Sequence, residues 1–298
     1  MSAIQIFAFA DERAPASRLA AALNAPLVMI ETHRFPDGET LPHIPPPAAE
    51  ISALYCSLDH PNPKLVELLL AADALRRAGC RRLILVAPYL CYMRQDAVFS
   101  PGEPLSRDVI ASLIGRAFDA VVTVQAHLHR TGDLEALLGV PAMNLIPIEP
   151  LAAALPAYDT PPIVLGPDLE SRGWVEAWVE RLHGQPVVLR KTRYGDRDVR
   201  ETAEANPVEA TGRAVVIVDD IASSGVTLTK AVQRLRRAGA ASIDIAVAHA
   251  MTTPGVTDAL MKAGVRRFVS TDSVRHSTNA APLAPLLAQA VRTIGQFL

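Results

Sequence analysis

Short apolar runs alternate along this chain with segments whose apolar residues recur at helical spacing. The runs Ile4–Phe9, 27–31 and 51–57 are rich in aliphatic residues and predict buried strands. Residues 62–78 carry leucine and alanine every three or four positions, which predicts a helix with one apolar face. A regular alternation of strand and helix is typical of parallel βαβ units.

The same alternation continues to the end of the chain. Further strands are predicted at residues 82–87, 121–124, 162–165, 186–189, 215–218, 243–248 and 267–270. Further helices are predicted at residues 17–22, 107–118, 171–182, 228–238, 256–263 and 285–295. The pattern therefore predicts an α/β protein whose sheets are doubly wound and mainly parallel.

The alternation pauses at residues 149–159, which we interpret as a domain boundary. The prediction is an N-terminal domain of residues 1–148 and a C-terminal domain of residues 149–298 with similar architecture. The last predicted helix is a candidate to pack on the N-terminal domain. A length of 298 residues suits two domains of this size.

Composition narrows the class of protein. Half of the residues are apolar and the net charge is −2, with both signs spread along the chain, so no nucleic-acid footprint is predicted. The sequence contains no run of 18 apolar residues, so no membrane span is predicted. The three cysteines show neither metal-binding spacing nor a disulfide framework, which suits a reducing cytoplasm.

The most informative segment is 215–228, where an apolar strand is followed by two carboxylates, Asp219 and Asp220, and then by a Ser/Gly run that opens a helix. Parallel sheets bind ligands at the carboxyl ends of their strands. Backbone N–H groups and hydroxyls at a helix start suit a phosphate. The carboxylates suit ribose hydroxyls or a metal ion. The alternative is an ordinary helix cap after a buried strand.

Two segments of the first half also carry polar chemistry. The turn 35–39 carries acidic residues around a glycine, and alone it favours a solvated loop. The segment after the strand 82–87 contains Tyr89, Tyr92, Arg94 and Gln95. Such a group can sandwich a purine base and bind phosphates, because a guanidinium makes bidentate contacts with them.

The residues alone do not decide the role of two further segments. His127 and His129 follow the strand 121–124 and could be metal ligands or surface residues. Residues 190–200 form a dense group of cations without apolar periodicity, which predicts an exposed, mobile ribbon or loop. A run of charge of this kind is usually a solvated face.

Taken in order, these motifs resemble those of the phosphoribosyl-pyrophosphate (PRPP) synthetases, or ribose-phosphate pyrophosphokinases, with archaeal-type members nearest. The matching segments are Phe35-Pro-Asp-Gly-Glu39, Tyr92-x-Arg-Gln-Asp96, Gly102-Glu-Pro-Leu-Ser106, the strand ending in His127, Gly166-Pro-Asp168, Lys191-x-Arg193 and Asp219-Asp-x-x-Ser-Ser-Gly-x-Thr227. The last segment is shared with the type I phosphoribosyltransferases. The match runs over nearly the whole chain.

The resemblance implies two tandem phosphoribosyltransferase-like domains and ribose-phosphate diphosphokinase activity. In that reaction ATP transfers its β,γ-diphosphoryl group to the 1-hydroxyl of ribose 5-phosphate, which gives PRPP and AMP. The implied cofactor is Mg²⁺, and the implied partners are the two substrates and further copies of the chain in a homodimer or a higher oligomer. A nucleic acid or a membrane is not among the expected partners.

The resemblance also implies a role for each matched residue. ATP would be bound by Phe35, Asp37, Glu39, Arg94, Gln95 and Asp96, the first three reaching adenine from a neighbouring subunit. Ribose 5-phosphate would be bound by Asp219, Asp220, Ser223, Ser224, Gly225 and Thr227. Mg²⁺ would be held by His127 and Asp168, and the catalytic residues would be Lys191, Arg193 and His127.

Three residues depart from the family pattern. Gln125 replaces an aspartate before the histidine motif, Ser224 stands where threonine is usual, and Val226 stands where glycine is usual. Because a β-branched residue does not easily adopt a positive φ, Val226 predicts a stiffer or altered loop. The segment after Asp96 also lacks the basic residues of regulated members, so we expect weak or absent allosteric control.

Two alternatives stay open. A non-catalytic relative that binds nucleotide or PRPP would have no need of Lys191 and Arg193. A PRPP-consuming phosphoribosyltransferase would dispense with the motifs around Phe35 and Arg94.

Overall fold

The computed structural model describes residues 4–98, 100–128, 132–189, 192–194, 198–200 and 209–298, and for Glu170 and the segments 192–194 and 198–200 only the backbone. These residues form two compact units. The first comprises Met1–Ile146 together with Leu283–Leu298, and the second comprises Pro147–Pro282. The C-terminal helix therefore belongs to the first unit. The boundary at residues 148 and 149 stays a prediction.

The first unit is built on one sheet. Its strands are β1 (Ile4–Phe9), β2 (Leu27–Arg34), β3 (Thr40–His43), β4 (Ile51–Tyr55), β5 (Arg82–Ala87), β6 (Ala120–Val124) and β7 (Ala142–Leu145). Across the sheet they follow the order β3-β2-β1-β4-β5-β6-β7. All neighbouring pairs are parallel except β2 and β3, which form an antiparallel hairpin.

Helices cover this sheet because its strands are apolar on both faces. The helices are α1 (Arg13–Leu23), α2 (Pro61–Arg77), α3 (Ser106–Ala117), α4 (Leu134–Leu138) and, at the end of the chain, the helix Ala284–Phe297. That last helix buries Leu287, Val291 and Ile294 against Ile6 and Val122 of the sheet. A helix that the sequence places in the second half thus completes the core of the first unit.

The second unit is built on a fully parallel sheet. Its strands are β8 (Ile163–Gly166), β9 (Gln185–Val188), β12 (Ala214–Ala222), β13 (Ser242–Ala250), β14 (Arg267–Thr271) and β15 (Asn279–Ala281), in the order β15-β14-β13-β12-β8-β9. A separate antiparallel ribbon joins β10 (Thr192–Tyr194) to β11 (Asp198–Arg200).

Helices lie on both faces of this second sheet. They are α5 (Ile148–Ala154), α6 (Arg172–Leu182), α7 (Val226–Arg237) and α8 (Pro254–Lys262), and the helix Ala284–Phe297 is therefore α9. Alternate residues of β12 serve the two cores: Val215 and Ile217 pack with α7, and Val216 and Val218 pack with α6. The predicted doubly wound α/β class is confirmed.

Two predictions of secondary structure were wrong. The carboxylates Asp219 and Asp220 do not end their strand, because β12 continues to Ala222 with its parallel register to β13 intact at Ala222 and Ala250. The pause predicted at residues 149–159 contains α5. Its proline, Pro150, lies in the first turn of that helix, where the missing N–H group costs no hydrogen bond.

One buried charge anchors β13 in the second unit. Asp244 is fully buried and accepts hydrogen bonds from Arg266 and, at 2.8 Å, from the Tyr158 hydroxyl. Burial and the Asp244 carboxylate raise the pKa of Tyr158, so the phenol stays protonated and keeps donating its hydrogen bond. Among the described residues, no helix has the length and apolar character that a membrane crossing requires.

Candidate active site

The loop between β12 and α7 carries most of the residues predicted to hold a sugar phosphate. Ser223 and Ser224 follow the strand as two bends, Gly225 precedes the helix, and Thr227 lies in its first turn. Ser223 and Thr227 are half-buried, and Ser224 is exposed. The fold therefore brings these four residues together at the carboxyl edge of the sheet.

The start of α7 is shaped to receive an anion. No side chain caps the helix, and its first four N–H groups lack partners within the helix by the geometry of any α-helix. Gly225 has a φ of +73°, in the left-handed region. A Cβ atom at Gly225 would lie 2.2 Å from Cγ1 of Val256. Glycine is thus required here both by the backbone and by the neighbouring helix α8.

The departure at Val226 leaves the loop intact. Val226 is the first residue of α7, and it is not among the described non-glycine residues with positive φ. The left-handed conformation lies one residue earlier, at Gly225. The altered loop shape that Val226 predicted is therefore not required, because a valine fits the first turn of a helix.

Carboxylates gather beside this loop. The parallel register of β8 and β12 runs from Ile163 opposite Val215 to Leu165 opposite Ile217, so the carboxyl ends of the two strands adjoin. Asp168 follows β8, and Asp219 and Asp220 lie near the end of β12. Burial, followed by the nearby charges of Asp220 and Asp168, raises the pKa of the Asp219 carboxyl well above its usual value.

This carboxylate group fits a cation that is held mainly by its substrate. No cluster of three or more His, Cys, Asp or Glu side chains within the described parts of the chain is arranged as a complete metal site. Mg²⁺ usually takes one or two protein carboxylates and completes its shell with water and phosphate oxygens. Burial first, and then the charges of Asp220 and Asp168, disfavour the ionised form of Asp219 and raise its pKa, and a bound cation would favour that ionised form.

The hairpin of β2 and β3 carries the residues predicted to approach adenine. Phe35, Asp37 and Glu39 lie in its turn and are exposed. The turn is closed by hydrogen bonds from the Phe35 N–H to the Glu39 carbonyl (2.9 Å) and from the Glu39 N–H to Oδ1 of Asp37 (3.1 Å). At the base of the hairpin, Arg34 forms an ion pair of 2.8 Å with Glu67 of α2.

The segment after β5 carries the predicted nucleotide residues Arg94, Gln95 and Asp96. Arg94 and Gln95 are exposed, and Asp96 is half-buried. The proposed sandwich of a base between two tyrosines is not available, because Tyr89 is 9 % exposed within the core. Tyr92 is half-buried, and its hydroxyl donates to Oδ1 of Asn62 at 2.5 Å.

The histidine segment follows β6 in the first unit. His127 is half-buried, and His129 lies outside the described residues. Gln125, which stands where the family has aspartate, has a φ of +41° and donates its N–H to the Leu145 carbonyl at 2.8 Å. The backbone of Gln125 is therefore constrained at the carboxyl end of β6.

Of the two predicted catalytic cations, only Arg193 lies within the described part of the chain. Lys191 lies outside the described residues. Arg193 lies on β10, opposite Val199 of β11. Residues 192–194 and 198–200 pair as an antiparallel ribbon, which is one of the two forms, ribbon or loop, predicted for residues 190–200; the predicted exposure and mobility stay a prediction.

Asn62 was missed by the sequence analysis. It lies in the first turn of α2 and binds Tyr92, which is 30 residues away in the chain. No local spacing links the two residues, so only the packing of α2 beside the end of β5 reveals the pair.

Comparisons with known proteins cover nearly all of the chain. Residues 4–117 match the family model described as the N-terminal domain of ribose phosphate pyrophosphokinase, and residues 146–268 match the phosphoribosyl transferase domain. Relatives named ribose-phosphate pyrophosphokinase include one from Methanopyrus kandleri, 33% identical over 93% of this chain and 94% of its own. Another, from Halobacterium salinarum, is 33% identical over 93% of this chain and 96% of its own.

A solved structure shares the fold. The crystal structure of phosphoribosylpyrophosphate synthetase from Mycobacterium smegmatis superposes with a TM-score of 0.85 at 24% sequence identity. The match covers 99% of this chain and 100% of that chain.

Proposed function

Because the chain belongs to the ribose-phosphate pyrophosphokinase family, we propose that the carboxyl edge of β12 holds ribose 5-phosphate and that the segment after β5 binds ATP. The chain is a transferase that synthesises PRPP. ATP donates its β,γ-diphosphoryl group to the sugar, and AMP is the second product. The observation that carries the residue assignment is the pairing of the carboxylates Asp219 and Asp220 with an uncapped helix start.

Ribose 5-phosphate fits this edge by charge. A 5-phosphate needs hydrogen-bond donors. The N–H groups at the start of α7 and the hydroxyls of Ser223, Ser224 and Thr227 would supply them. Asp219 and Asp220 accept hydrogen bonds from ribose hydroxyls. Phosphate oxygens cannot donate such bonds to a carboxylate. The two ends of the sugar are thereby distinguished, and the 1-hydroxyl is left for the reaction.

The remaining assignments follow the family motifs. Arg94, Gln95 and Asp96 bind ATP, and Arg193 and Lys191 neutralise charge on the diphosphoryl group as it is transferred. The resemblance assigns Mg²⁺ ligation to His127 and to Asp168, with substrate phosphates as the other ligands. When bound, Mg²⁺ would supply charge neutralisation for the phosphates. The protein residues bind, orient and exclude water, which suits a reaction that depends on positioning.

We propose a cytoplasmic location, since the substrates are cytoplasmic metabolites and the three thiols are free and buried. Burial raises the pKa of Cys91 to about 12 and raises that of Cys56 further, so these thiols stay protonated. A disulfide framework has no role among them.

The test of the proposed function is a product analysis. With ATP, Mg²⁺ and ribose 5-phosphate, we expect AMP and PRPP in equal amounts, and neither without the sugar phosphate. Lys191→Ala should lower turnover at least tenfold, because a transition-state charge loses its counterion. Binding of both substrates without turnover would favour a regulatory protein. Consumption of PRPP with a free base would favour a phosphoribosyltransferase.

We also propose that the chain forms a homodimer or a higher homo-oligomer. Phe35 is 40% exposed at the hairpin tip, and the neighbouring helices α2 and α3 each expose an apolar pair at helical spacing, Val66 with Leu70 and Val109 with Leu113. Exposed apolar side chains on neighbouring elements are typical of a protein–protein contact. We propose that a second copy covers these residues and supplies its hairpin to the adenine site.

Leu70→Glu tests the dimer. The native chain should elute as a dimer or a larger assembly by light scattering, and the variant should shift to the monomer with a raised KM for ATP. Met261→Glu, which places a charge on an exposed apolar residue of α8, serves as the matched control and should change neither. A native monomer with full activity would contradict the proposal.

A further inference from the structure

We propose that Asn62 is a positioning residue for ATP. Through the hydroxyl of Tyr92 it fixes the turn that presents Arg94 and Gln95, although Asn62 itself contacts no reacting atom. The inference rests on the proposed function of that turn as the ATP-binding segment. It adds a residue of α2 to a site whose other members follow β5.

The turn is held in a conformation that its own sequence does not favour. Tyr92 has a φ of +62°, in the left-handed region, which is unfavourable for a bulky residue with a Cβ atom. The Gln95 N–H donates to the Tyr92 carbonyl at 3.0 Å, and the Arg107 N–H donates to the Gln95 carbonyl at 3.3 Å. Backbone that adopts such a conformation persists only where the surroundings hold it.

Three contacts provide that hold. On either side of Tyr92, Cys91 and Met93 are buried in the core, which fixes the two ends of the strained residue. The third contact is the hydrogen bond of 2.5 Å from the Tyr92 hydroxyl to Oδ1 of Asn62. It is the contact among these that acts on the tip of the side chain, and so it sets the direction in which the turn faces.

Asn62 is itself placed on a firm base. It follows Pro61 in the first turn of α2. Two residues on, the Lys64 ammonium donates to the Ser57 carbonyl at 2.6 Å, to Asp59 at 2.5 Å and to Glu12 at 3.2 Å. These bonds tie the start of α2 to the ends of β4 and to the turn before α1. A residue at this point can therefore hold the hydroxyl of Tyr92 in place.

The consequence for ATP concerns the two side chains that follow. Arg94 and Gln95 are exposed and carry no buried anchor of their own, so their placement depends on the backbone of the turn. A small displacement of a positioned cation weakens its contact with a phosphate steeply. Loss of the bond between Tyr92 and Asn62 should therefore weaken ATP binding and leave ribose 5-phosphate binding unchanged.

The test compares kinetic constants for both substrates. We expect Tyr92→Phe and Asn62→Leu each to raise the KM for ATP about fivefold, the effect of losing one neutral hydrogen bond. The KM for ribose 5-phosphate should stay within about twofold. The double variant should be no worse than either single variant, because both remove the same bond. Asn62→Asp keeps an acceptor oxygen and should restore the native KM for ATP.

A matched control separates positioning from stability. Tyr158→Phe also removes a tyrosine hydroxyl bonded to a side-chain oxygen, but it lies in the second unit. It should lower Tm and leave the KM for ATP unchanged. Tyr92→Phe should instead act mainly on the KM for ATP, with a smaller effect on Tm.

Two results would overturn the inference. One is a KM for ATP that stays native in both Tyr92→Phe and Asn62→Leu. The other is an equal rise in the KM values for both substrates. Calorimetric titration with ATP decides the same question if the native chain binds ATP without forming PRPP, an outcome that rejects the proposed function alone.

Discussion

Asp219→Asn is expected to lower kcat/KM for ribose 5-phosphate about 100-fold and, at neutral pH, to raise Tm. The loss of activity follows because a carboxylate that accepts hydrogen bonds from hydroxyls contributes about 1.5–3 kcal/mol for each charged contact. Asparagine keeps the shape of the side chain and removes its charge. The variant therefore isolates electrostatics at the edge of β12.

The gain in stability follows from the pKa of Asp219. Burial and the charges of Asp220 and Asp168 raise that pKa in the folded state above its value in the unfolded chain. The unfolded chain then loses the proton at a lower pH than the folded one. Native stability therefore falls as pH rises through the interval between the two pKa values, and the cost is fully present above the folded-state value. Removal of the charge removes the cost.

Both effects of Asp219→Asn depend on pH. The gain in Tm of Asp219→Asn should grow as pH rises through the interval between the two pKa values, and it should vanish below the unfolded-state value, where the carboxyl is protonated in both states. In the native enzyme, ribose 5-phosphate binding should weaken as pH falls through the raised pKa of Asp219, because the neutral carboxyl is a poorer acceptor. Differential scanning fluorimetry and initial rates across pH measure the two quantities.

Asp258→Asn is the control for Asp219→Asn. Asp258 is exposed on α8 of the same unit, so its replacement should change neither Tm nor the rate. An Asp219→Asn enzyme with rates within about fivefold of native would contradict the assignment of this residue to the substrate. A fall in Tm at neutral pH would contradict the electrostatic account even if the rate fell.

The sequence predicted the strands more closely than the ends of the site. β1 and β5 have the predicted bounds, because buried parallel strands are short apolar runs with clear flanks. β12 runs further than its apolar run, since its pairing with β13 continues through Asp219. Backbone pairing keeps these carboxylates in the sheet, whereas a prediction from apolar periodicity ends the strand before them.

Short elements and long-range contacts escaped prediction for a different reason. β3, β7 and β15 have four residues or fewer, which is too short for an apolar periodicity to predict a strand. Tyr89 was read as a partner for a base, yet it fills the core. Its residue type fits both roles, and only the packing decides between them. The pair of Tyr92 and Asn62 depends likewise on which helix lies beside the loop.

The segment Asp219–Thr227 shows what the order of motifs can establish. Asp219 to Thr227 lie where a parallel α/β fold places a ligand, and the fold confirms that these residues share one strand end. The departure at Val226 had suggested an altered loop, because the sequence does not reveal which residue takes the positive φ. In the structure that residue is Gly225. A glycine at position 226 is thus dispensable, whereas the glycine at position 225 is not.

Gly225→Ala is accordingly expected to raise the KM for ribose 5-phosphate about 100-fold and to lower Tm. Two costs combine at this position. A residue with a Cβ atom at a φ of +73° costs about 1–2 kcal/mol, and the new Cβ atom would lie 2.2 Å from Cγ1 of Val256. To relieve the overlap, either the start of α7 or the start of α8 must move. Movement of α7 displaces the N–H groups proposed to bind the 5-phosphate.

The two costs can be separated with two matched variants. Val256→Ala removes Cγ1, after which the nearest Val256 atom, Cβ, lies 3.6 Å from the new methyl group. Gly225→Ala with Val256→Ala should therefore recover part of the affinity, and the remaining deficit measures the strain of the backbone. Gly212→Ala imposes a similar strain, at a φ of +69° with no atom within 4 Å, in the turn before β12. It should lower Tm modestly and leave the KM for ribose 5-phosphate unchanged. If Gly225→Ala left that KM native, or if the double variant recovered nothing, the conformation of Gly225 and its contact with α8 would not control how the loop holds its phosphate.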